Sequence, residues 1–438
     1  MVGLGRLGVP LLACLAARGL TVIGADLDPA RVAAVAAGRS PIHEPGVEEL
    51  LAAHGGRIGA TCDTVAAVAL SQVTFVVVAT PSEADGQFSL RQVFGVCEDV
   101  GLALRSKVGF HLVVLTSTVM PGATGGEVRE LLERVSGRRC GEDFGLCYSP
   151  EFVALGSVVH DLLHPDFVLI GESDPRSGEM LAGLYGRLCE NAPPAARMSF
   201  VNAELAKLAL NTFVTTKISF ANMLAGLCEK LPGASVDTVT AAVGLDRRVG
   251  SRYLQGGAGY GGPCFPRDNA ALAALAGRLG AQAFLAEATD RANRGEVERL
   301  AALVAARRAA GETVAILGLA YKPGTDVSEA SQGLLLARAL AGRNVPVIAW
   351  DPAALPSARA ALDGTVRYAG SLAACIAAAD VLVLSTPWPE IARLGGADLA
   401  RAGSPRVLID CWRLLDRPDI RAVVDYVALG LGPPAASR

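Results

Sequence analysis

The sequence predicts an α/β protein, two doubly wound parallel-sheet domains joined by a long central helix and a helical middle. Three observations predict this. Short apolar runs such as Phe75–Ala79 and Val381–Leu384 end in Thr-Pro, the pattern of strands buried on both faces. Such runs alternate with helix-period segments at both ends of the chain but not in its middle. The two ends also echo each other. Thr21–Pro29 (TVIGADLDP) resembles Pro346–Pro352 (PVIAWDP), and Phe75–Pro81 (FVVVATP) resembles Val381–Pro387 (VLVLSTP).

Taken in order, the first half offers strands at Thr21–Asp26, Val73–Thr80, His111–Ser117, Phe144–Tyr148 and Phe167–Ile170. Asn202–Glu229 reads as one long helix. Residues 235–310 stay helical except for a Gly-rich break at Gly256–Gly262. Strands return at Val314–Leu317, Val345–Trp350, Val381–Leu384 and Val407–Ile409. The expected domains are therefore 1–198, 199–310 and 311–438, the outer two Rossmann-like, with a frayed tail from Gly430 to Arg438.

Composition excludes several classes. Hydrophobic residues make up 51% and charged residues 19% of 438, the opposite of a disordered chain. A net charge of −3 supplies no basic field for nucleic acid or an anionic membrane. Mean hydropathy is +0.38. However, no apolar run approaches the roughly 20 residues of a spanning helix, so the value reflects sheet cores and Ala-rich helices. The ten cysteines form no CxxC pair, which points to a reducing, cytoplasmic setting and mostly inert thiols. His160 and His164 have helical metal-ligand spacing but no third ligand, so no metal is expected.

Arg6 and the apolar Leu7–Ala17 could pass for a signal peptide. The competing reading is a dinucleotide fingerprint, and it accounts for more. Gly3, Gly5 and Gly8 have GxGxxG spacing, an Ala/Leu helix follows, and Asp26 closes the next strand. The glycines allow a tight turn and close approach of backbone to a pyrophosphate. The helix start offers free N–H groups, and the acid takes ribose hydroxyls, favouring NAD over NADP. Only Met1 and Val2 precede the fingerprint, where a complete first strand is expected. Either the start is placed too late, the chain is trimmed, or the fold tolerates a stub; a chain natural as written is expected to have a weakened first domain.

Three further segments bear chemistry. In Gly256–Asp268 (GGAGYGGPCFPRD), the glycines let backbone wrap a ligand, and Pro263 suits a first helical turn. Cys264 then lies at a helix N-terminus, which favours thiolate and makes it a nucleophile candidate, with Asp268 one turn on. In Ala203–Asn211 (AELAKLALN), Lys207 and Asn211 stack at i, i+4 inside an apolar stretch, like a polar pair aimed into a pocket. In Tyr148–Phe152 (YSPEF), Glu151 follows a strand, where open α/β sheets place their ligands.

Together these segments resemble the UDP-glucose/GDP-mannose dehydrogenase family over nearly the whole chain. The matching motifs are Gly3–Gly8 with Asp26, Ser40–Gly46, Ala79–Pro81, Ser117–Gly122, Ser149–Phe152, Ala203–Asn211, Gly259–Asp268, Gly318–Asp326, Trp350–Pro352 and Ala379–Asp380. The resemblance implies an NAD-dependent four-electron oxidation of a nucleotide sugar's C6 alcohol to a carboxylate through a thiohemiacetal and thioester on Cys264. Lys207, Asn211 and a water network held by Asp268 would stabilise alkoxide charge, and Glu151 would act as acid/base. Thr80, Thr118 and Arg267 would lie near the cofactor, Thr118 also at the catalytic centre. Tyr253, Gly257, Gly261 and Lys322 would contact substrate along with Glu151, Lys207 and Asn211, and Arg248 would reach the substrate of a neighbouring subunit. The long helix would form a homodimer core. The Cys264–Asp268 run is most similar to the UDP-glucose branch, so UDP-glucose to UDP-glucuronate is the favoured reaction, with GDP-mannose and UDP-N-acetylhexosamines as other substrates.

Three positions depart from the family pattern. Leu155 stands where a second Glu is usual, Glu329 where an Arg is usual, and Phe167 replaces the Arg of a Pro-Asp-Arg run. The competing reading they support is a nucleotide-sugar binder without turnover. The intact Cys264, Lys207, Asn211 and Asp268 oppose it, since a binder has no need of a nucleophile.

Overall fold

The structure is a computed structural model describing residues 1–362 and 364–435. By internal contacts the chain divides into two compact units, Met1–Ala209 and Leu210–Arg438, and the division falls inside one helix, Phe200–Cys228. The helical middle thus belongs to the same unit as the C-terminal sheet.

In the first unit the strands are β1 (Val22–Ala25), β2 (Ile58–Thr61), β3 (Val73–Val76), β4 (His111–Leu115), β5 (Phe144–Tyr148), β6 (Val168–Glu172) and β7 (Ala195–Met198). β1 and β2 pair in parallel, and β3 to β7 form a five-stranded run in chain order. Val2 joins the two pieces, bridging Ala25 on one side and Val76 on the other. Its N–H donates to Phe75 O at 2.8 Å, and its carbonyl accepts from Val77 N at 2.8 Å. Val2 therefore occupies the strand position between β1 and β3. β4 is buried along its whole length, as a central strand between two helical layers must be. One feature differs from a wholly parallel sheet. β6 runs antiparallel to β5, with Tyr148 opposite Gly171, and β7 follows β6 in parallel.

In the second unit the strands are β8 (Val314–Leu317), β9 (Val347–Trp350), β10 (Arg367–Tyr368), β11 (Val381–Leu384), β12 (Arg406–Asp410) and β13 (Val424–Ala428). They form a parallel sheet in the order β10-β9-β8-β11-β12-β13, with β8 and β11 at the point where the order reverses. Helices Val236–Gly244, Phe265–Arg278 and Phe284–Arg307 make up the helical middle.

Four strands escaped the sequence reading: β2, β7, β10 and β13. β7 alternates exposed and half-buried positions, and β10 is two residues long, so neither presents an apolar run. The tail also differs from expectation. Gly430 N donates to Glu229 Oε1 at 2.8 Å, Gly432 N to Ala234 O at 2.9 Å, and Pro433 O accepts from Gly233 N at 2.8 Å. These bonds tie it down through Pro433, and the expected fraying of 436–438 falls outside the described residues.

Candidate active site

The fingerprint turn is built on two glycines that nothing else could replace. Gly3 has φ +100°, and a Cβ there would lie 2.2 Å from Val77 O. A Cβ on Gly8 would lie 1.8 Å from Gly3 O. Gly5 is different: open space surrounds the position of its missing Cβ. The helix Gly8–Ala17 that follows has no side-chain cap at its start. A bare glycine beside an uncapped helix start fits a dinucleotide pyrophosphate, which would take those N–H groups. Asp26 follows β1 as expected. It accepts from Leu4 N at 2.7 Å and Asp28 N at 2.9 Å, which fixes the carboxylate at the mouth of the turn.

The second sheet repeats this design and then blocks it. Gly318 has φ +104°, matching Gly3. Asp351 stands where Asp26 does, but its oxygens accept from the amides of Leu319, Ala320, Ala353 and Ala354 and from Trp388 Nε1. With five donors and 1% exposure it has nothing left for a ribose.

Thr80 and Thr118 follow β3 and β4 and are bound together, Thr80 Oγ1 donating to Thr118 O at 2.7 Å. Glu204, fully buried on the long helix, accepts from Gly122 N at 2.7 Å and Thr124 N at 2.8 Å. It anchors the loop carrying Thr118. Burial pushes the Glu204 carboxyl up, and these amide bonds oppose that. Glu44, 7% exposed, clamps the next loop in the same way through Gly156 N and Val158 N, at 2.8 and 2.9 Å.

Glu151 lies three residues beyond the end of β5, at the strand terminus the sequence predicts. Tyr185 Oη donates to its Oε1 at 2.7 Å. Lys207 Nζ donates to its main-chain carbonyl at 2.5 Å and sits 4.3 Å from the centre of the Phe152 ring. Burial raises the Glu151 carboxyl above its ordinary range, while the Tyr185 hydrogen bond and the Lys207 charge hold it back. Phe167 packs on Phe152 with ring centres 5.0 Å apart, so the residue in place of an Arg supports the ring beneath Lys207. Leu155 packs against an apolar cluster that includes Leu11, Cys14 and Leu162.

In the second unit Cys264 occupies the N-cap of helix Phe265–Arg278. The proline in the first turn is Pro266, not Pro263, which lies ahead of the helix. Asp268 is fully buried and accepts from Asn211 Nδ2 at 2.6 Å, with Arg267 Nε 3.1 Å away. The Gly-rich loop is held by two buried asparagines. Asn222 bonds Gly257 N and Ala258 O, and Asn293 bonds the N and O of Tyr260. A Cβ on Gly257 would meet Cys411 O at 2.8 Å, and one on Gly261 would meet Ala330 O at 2.4 Å, so these glycines serve close packing inside the unit. Arg248 is exposed and paired with Asp246 at 2.6 Å. Tyr253, half-exposed at φ +61°, meets Phe265 edge-on, and Lys322 lies over the Tyr321 ring. Glu329 is exposed.

Eight of the ten thiols are buried; Cys62 and Cys264 are exposed. Burial pushes Cys14, Cys97 and Cys375 up to about 12, so these thiols stay protonated and inert.

Three stretches match the UDP-glucose/GDP-mannose dehydrogenase family: its NAD binding domain at residues 1–189, its central domain at 201–295 and its UDP binding domain at 315–417. The chain belongs to the UDP-glucose/GDP-mannose dehydrogenase family. Members of this family are NAD-dependent oxidoreductases. A UDP-glucose 6-dehydrogenase of Haloferax volcanii is 37% identical over 98% of this chain and 99% of its own length. A GDP-mannose 6-dehydrogenase of Pseudomonas syringae is 34% identical over 80% of this chain and 79% of its own. Among solved structures, a UDP-glucose dehydrogenase of Pyrobaculum islandicum superposes with a TM-score of 0.89 at 34% identity, covering 98% and 96% of the two chains.

The NAD binding domain of this dehydrogenase family contains the glycine turn, Asp26, Thr80, Thr118 and Glu151. Its central domain contains Lys207, Asn211, Cys264 and Asp268. Glu44, Glu204, Asn222, Asn293 and Tyr185 were not singled out from sequence. The first two stand inside recognisable motifs, but Tyr185 sits in an ordinary amphipathic helix with no local signal.

Proposed function

We propose that this chain is a UDP-glucose 6-dehydrogenase, oxidising the C6 alcohol to a carboxylate. The observation that carries the reading is Cys264: an exposed thiol at a helix start, beside a glycine loop clamped by two asparagines and one turn from a buried Asp268–Asn211 pair. Relatives named UDP-glucose 6-dehydrogenases at 33–37% identity over nearly the full chain support it.

NAD⁺, when bound, accepts one hydride in each of two oxidations. Gly5 and the helix start after it would take the pyrophosphate, and Asp26 the ribose. The Cys264 sulfur adds to the intermediate aldehyde, so the carbon is held as a thiohemiacetal and then a thioester rather than released. Lys207 and Asn211, on successive turns of one helix, would face the developing alkoxide. Asp268 orients Asn211 by accepting from its amide. Glu151 takes a proton from the water that forms the new C–O bond, the C–S bond breaks, and the electron pair returns to the Cys264 sulfur. Thr118, Arg267, Arg248, Tyr253, Gly257, Gly261 and Lys322 keep the cofactor and substrate roles the family resemblance gives them, and 1–198, 199–310 and 311–438 remain its functional segments.

A homodimer is part of this reading. Phe213, Phe220, Met223 and Leu227 form an exposed apolar stripe along the long helix, each 45% exposed or more. We also place the protein in the cytoplasm, a reading supported by ten cysteines of which none forms a disulfide among the described residues. Among the described residues no helix is long and apolar enough to cross a membrane.

The test is NADH absorbance with NAD⁺ and UDP-glucose, counted per sugar consumed. Two NADH per sugar are expected. Leu155, apolar where a second acid is usual, favours one other reading, a nucleotide-sugar binder without turnover. Tight UDP-glucose binding with no NADH from it or from GDP-mannose would select that reading.

A further inference from the structure

The reaction just described leaves a buried pair of hydroxyls behind Glu151 without a role. Tyr185, 5% exposed on helix Pro175–Leu188, donates to Glu151 Oε1 at 2.7 Å. Its oxygen also lies 3.0 Å from Ser149 Oγ, and Ser149 Oγ reaches the Leu169 carbonyl at 2.9 Å. Ser149 is 1% exposed. An unbroken run of hydroxyls thus leads from a backbone acceptor in β6 to the carboxylate, all within the first unit.

We propose that Ser149 and Tyr185 form a reversible hydroxyl relay that positions Glu151 and satisfies it in both of its protonation states. The proposal rests on Glu151 being the acid/base of the reaction above. With Glu151 ionised, the Ser149 hydrogen points to the Tyr185 oxygen and the Tyr185 hydrogen to the carboxylate. With Glu151 protonated, its hydrogen points to the Tyr185 oxygen, the Tyr185 hydrogen to Ser149 and the Ser149 hydrogen to Leu169 O. Each hydroxyl has one donor hydrogen and spare acceptor capacity, so two rotations convert one state to the other and no buried donor is stranded. A carboxyl that gains and loses a proton in each turnover needs such a surrounding; a fixed donor would serve only the ionised form.

The other groups facing this carboxyl do not compete for the proton. Cys14 from helix Gly8–Ala17 and Cys189 after helix Pro175–Leu188 are pushed up to about 12 and about 11, by burial first and then by Glu151. The Tyr185 phenol is raised well above its ordinary value, by burial first and then by Glu151. Lys207 faces Glu151 from the long helix, and Arg18 and Glu190 face the two thiols from further out.

The test uses the full chain with NAD⁺ and UDP-glucose. NADH production is followed from about pH 6 to about pH 10, and acid-quenched protein is assayed for sugar thioester on Cys264. Tyr185→Phe removes the donor to the carboxylate and the acceptor of its protonated form; the charge-assisted bond is the stronger of the two, so the ionised state loses more. The substitution should slow hydrolysis about threefold to tenfold near pH 7, with thioester accumulating, and recover at high pH. Ser149→Ala removes the acceptor that the protonated state needs, so its acid limb should move the other way, to lower pH. An acid limb unmoved in either variant, or moved in the same direction by both, overturns the relay. Should Tyr185→Phe not fold, the direction of the Ser149→Ala shift decides alone. Glu151→Gln separates the layers. If it keeps the acid limb, Glu151 is not the acid/base and the relay falls with it. NADH made by the unaltered chain still upholds the dehydrogenase reading.

Discussion

Cys264 and Cys147 share a side chain and almost nothing else. One is exposed at a helix start; the other is sealed in β5, where burial pushes its thiol far above the ordinary value. Brief treatment with iodoacetamide near pH 8 should therefore label Cys264 and Cys62, as read by peptide mass spectrometry. Labelling of the eight buried thiols on the same timescale would contradict their packing. Glu151 permits a second prediction at this scale. Its carboxyl is raised in the fold, so folding favours the protonated form. That contribution is full below the ordinary carboxylate range and is lost as pH rises through the raised value. Glu151→Gln, which cannot ionise, should therefore gain in melting temperature over the parent chain as pH rises from about 4 to about 8. A gap that shrinks with pH would reverse the sign of the argument. Leu155 is half-buried against an apolar cluster, so a carboxylate introduced there would have apolar neighbours on one side and solvent on the other.

At the scale of elements, the fingerprint turn divides into glycines that make the turn and one that receives a ligand. Gly3→Ala would drive a Cβ into Val77 O at positive φ, and should cost roughly 2–4 kcal/mol of stability in denaturant titration. Gly5→Ala meets no protein atom. It should leave stability within about 0.5 kcal/mol of the parent while weakening NADH binding about tenfold or more by fluorescence titration. Equal loss of stability in both would mean that Gly5 is only structural. The same contrast explains what sequence makes legible. GxGxxG followed by a helix and Asp26 is a local code, and so are Cys264 with Asp268 and Lys207 with Asn211, since spacing along one helix places them. Tyr185 reaches Glu151 across 34 positions of chain, and Asn293 reaches Tyr260 across 33. Such partners have no local spacing, so only the packed strands and helices reveal them. β7 and β13 escaped for a related reason: each is half-exposed at several positions, and an incomplete apolar pattern does not separate strand from loop.

For the whole molecule, the apolar stripe of Phe213, Phe220, Met223 and Leu227 is the feature a second copy would cover. Phe220→Asp puts a charge in its middle and should shift sedimentation from dimer to monomer at micromolar concentration. An unchanged dimer would move the interface elsewhere. The two-sheet architecture was legible because both sheets repeat the same strand–turn–acid pattern, and the echo of Thr21–Pro29 in Pro346–Pro352 survives as Asp26 and Asp351 at matching strand ends. The repeat is of architecture and not of ligand: Asp351 takes five donors, four of them backbone amides close to its own strand and to β8.

Val2 has a consequence for how the first unit assembles in time. Its partners, Ala25 and Val76, lie 23 and 74 positions later. Closing loops of that size costs entropy before any pairing is gained. A chain growing from its N-terminal side can therefore pair β1 with β2 early, but it cannot seat Val2 between β1 and β3 until Val76 has emerged. Until then the edge of β1 that Val2 covers in the finished sheet stands without its far neighbour, and exposed strand edges are where nascent chains meet one another. A fragment ending before β3 should therefore self-associate more readily than the complete first unit, as light scattering of the two would show.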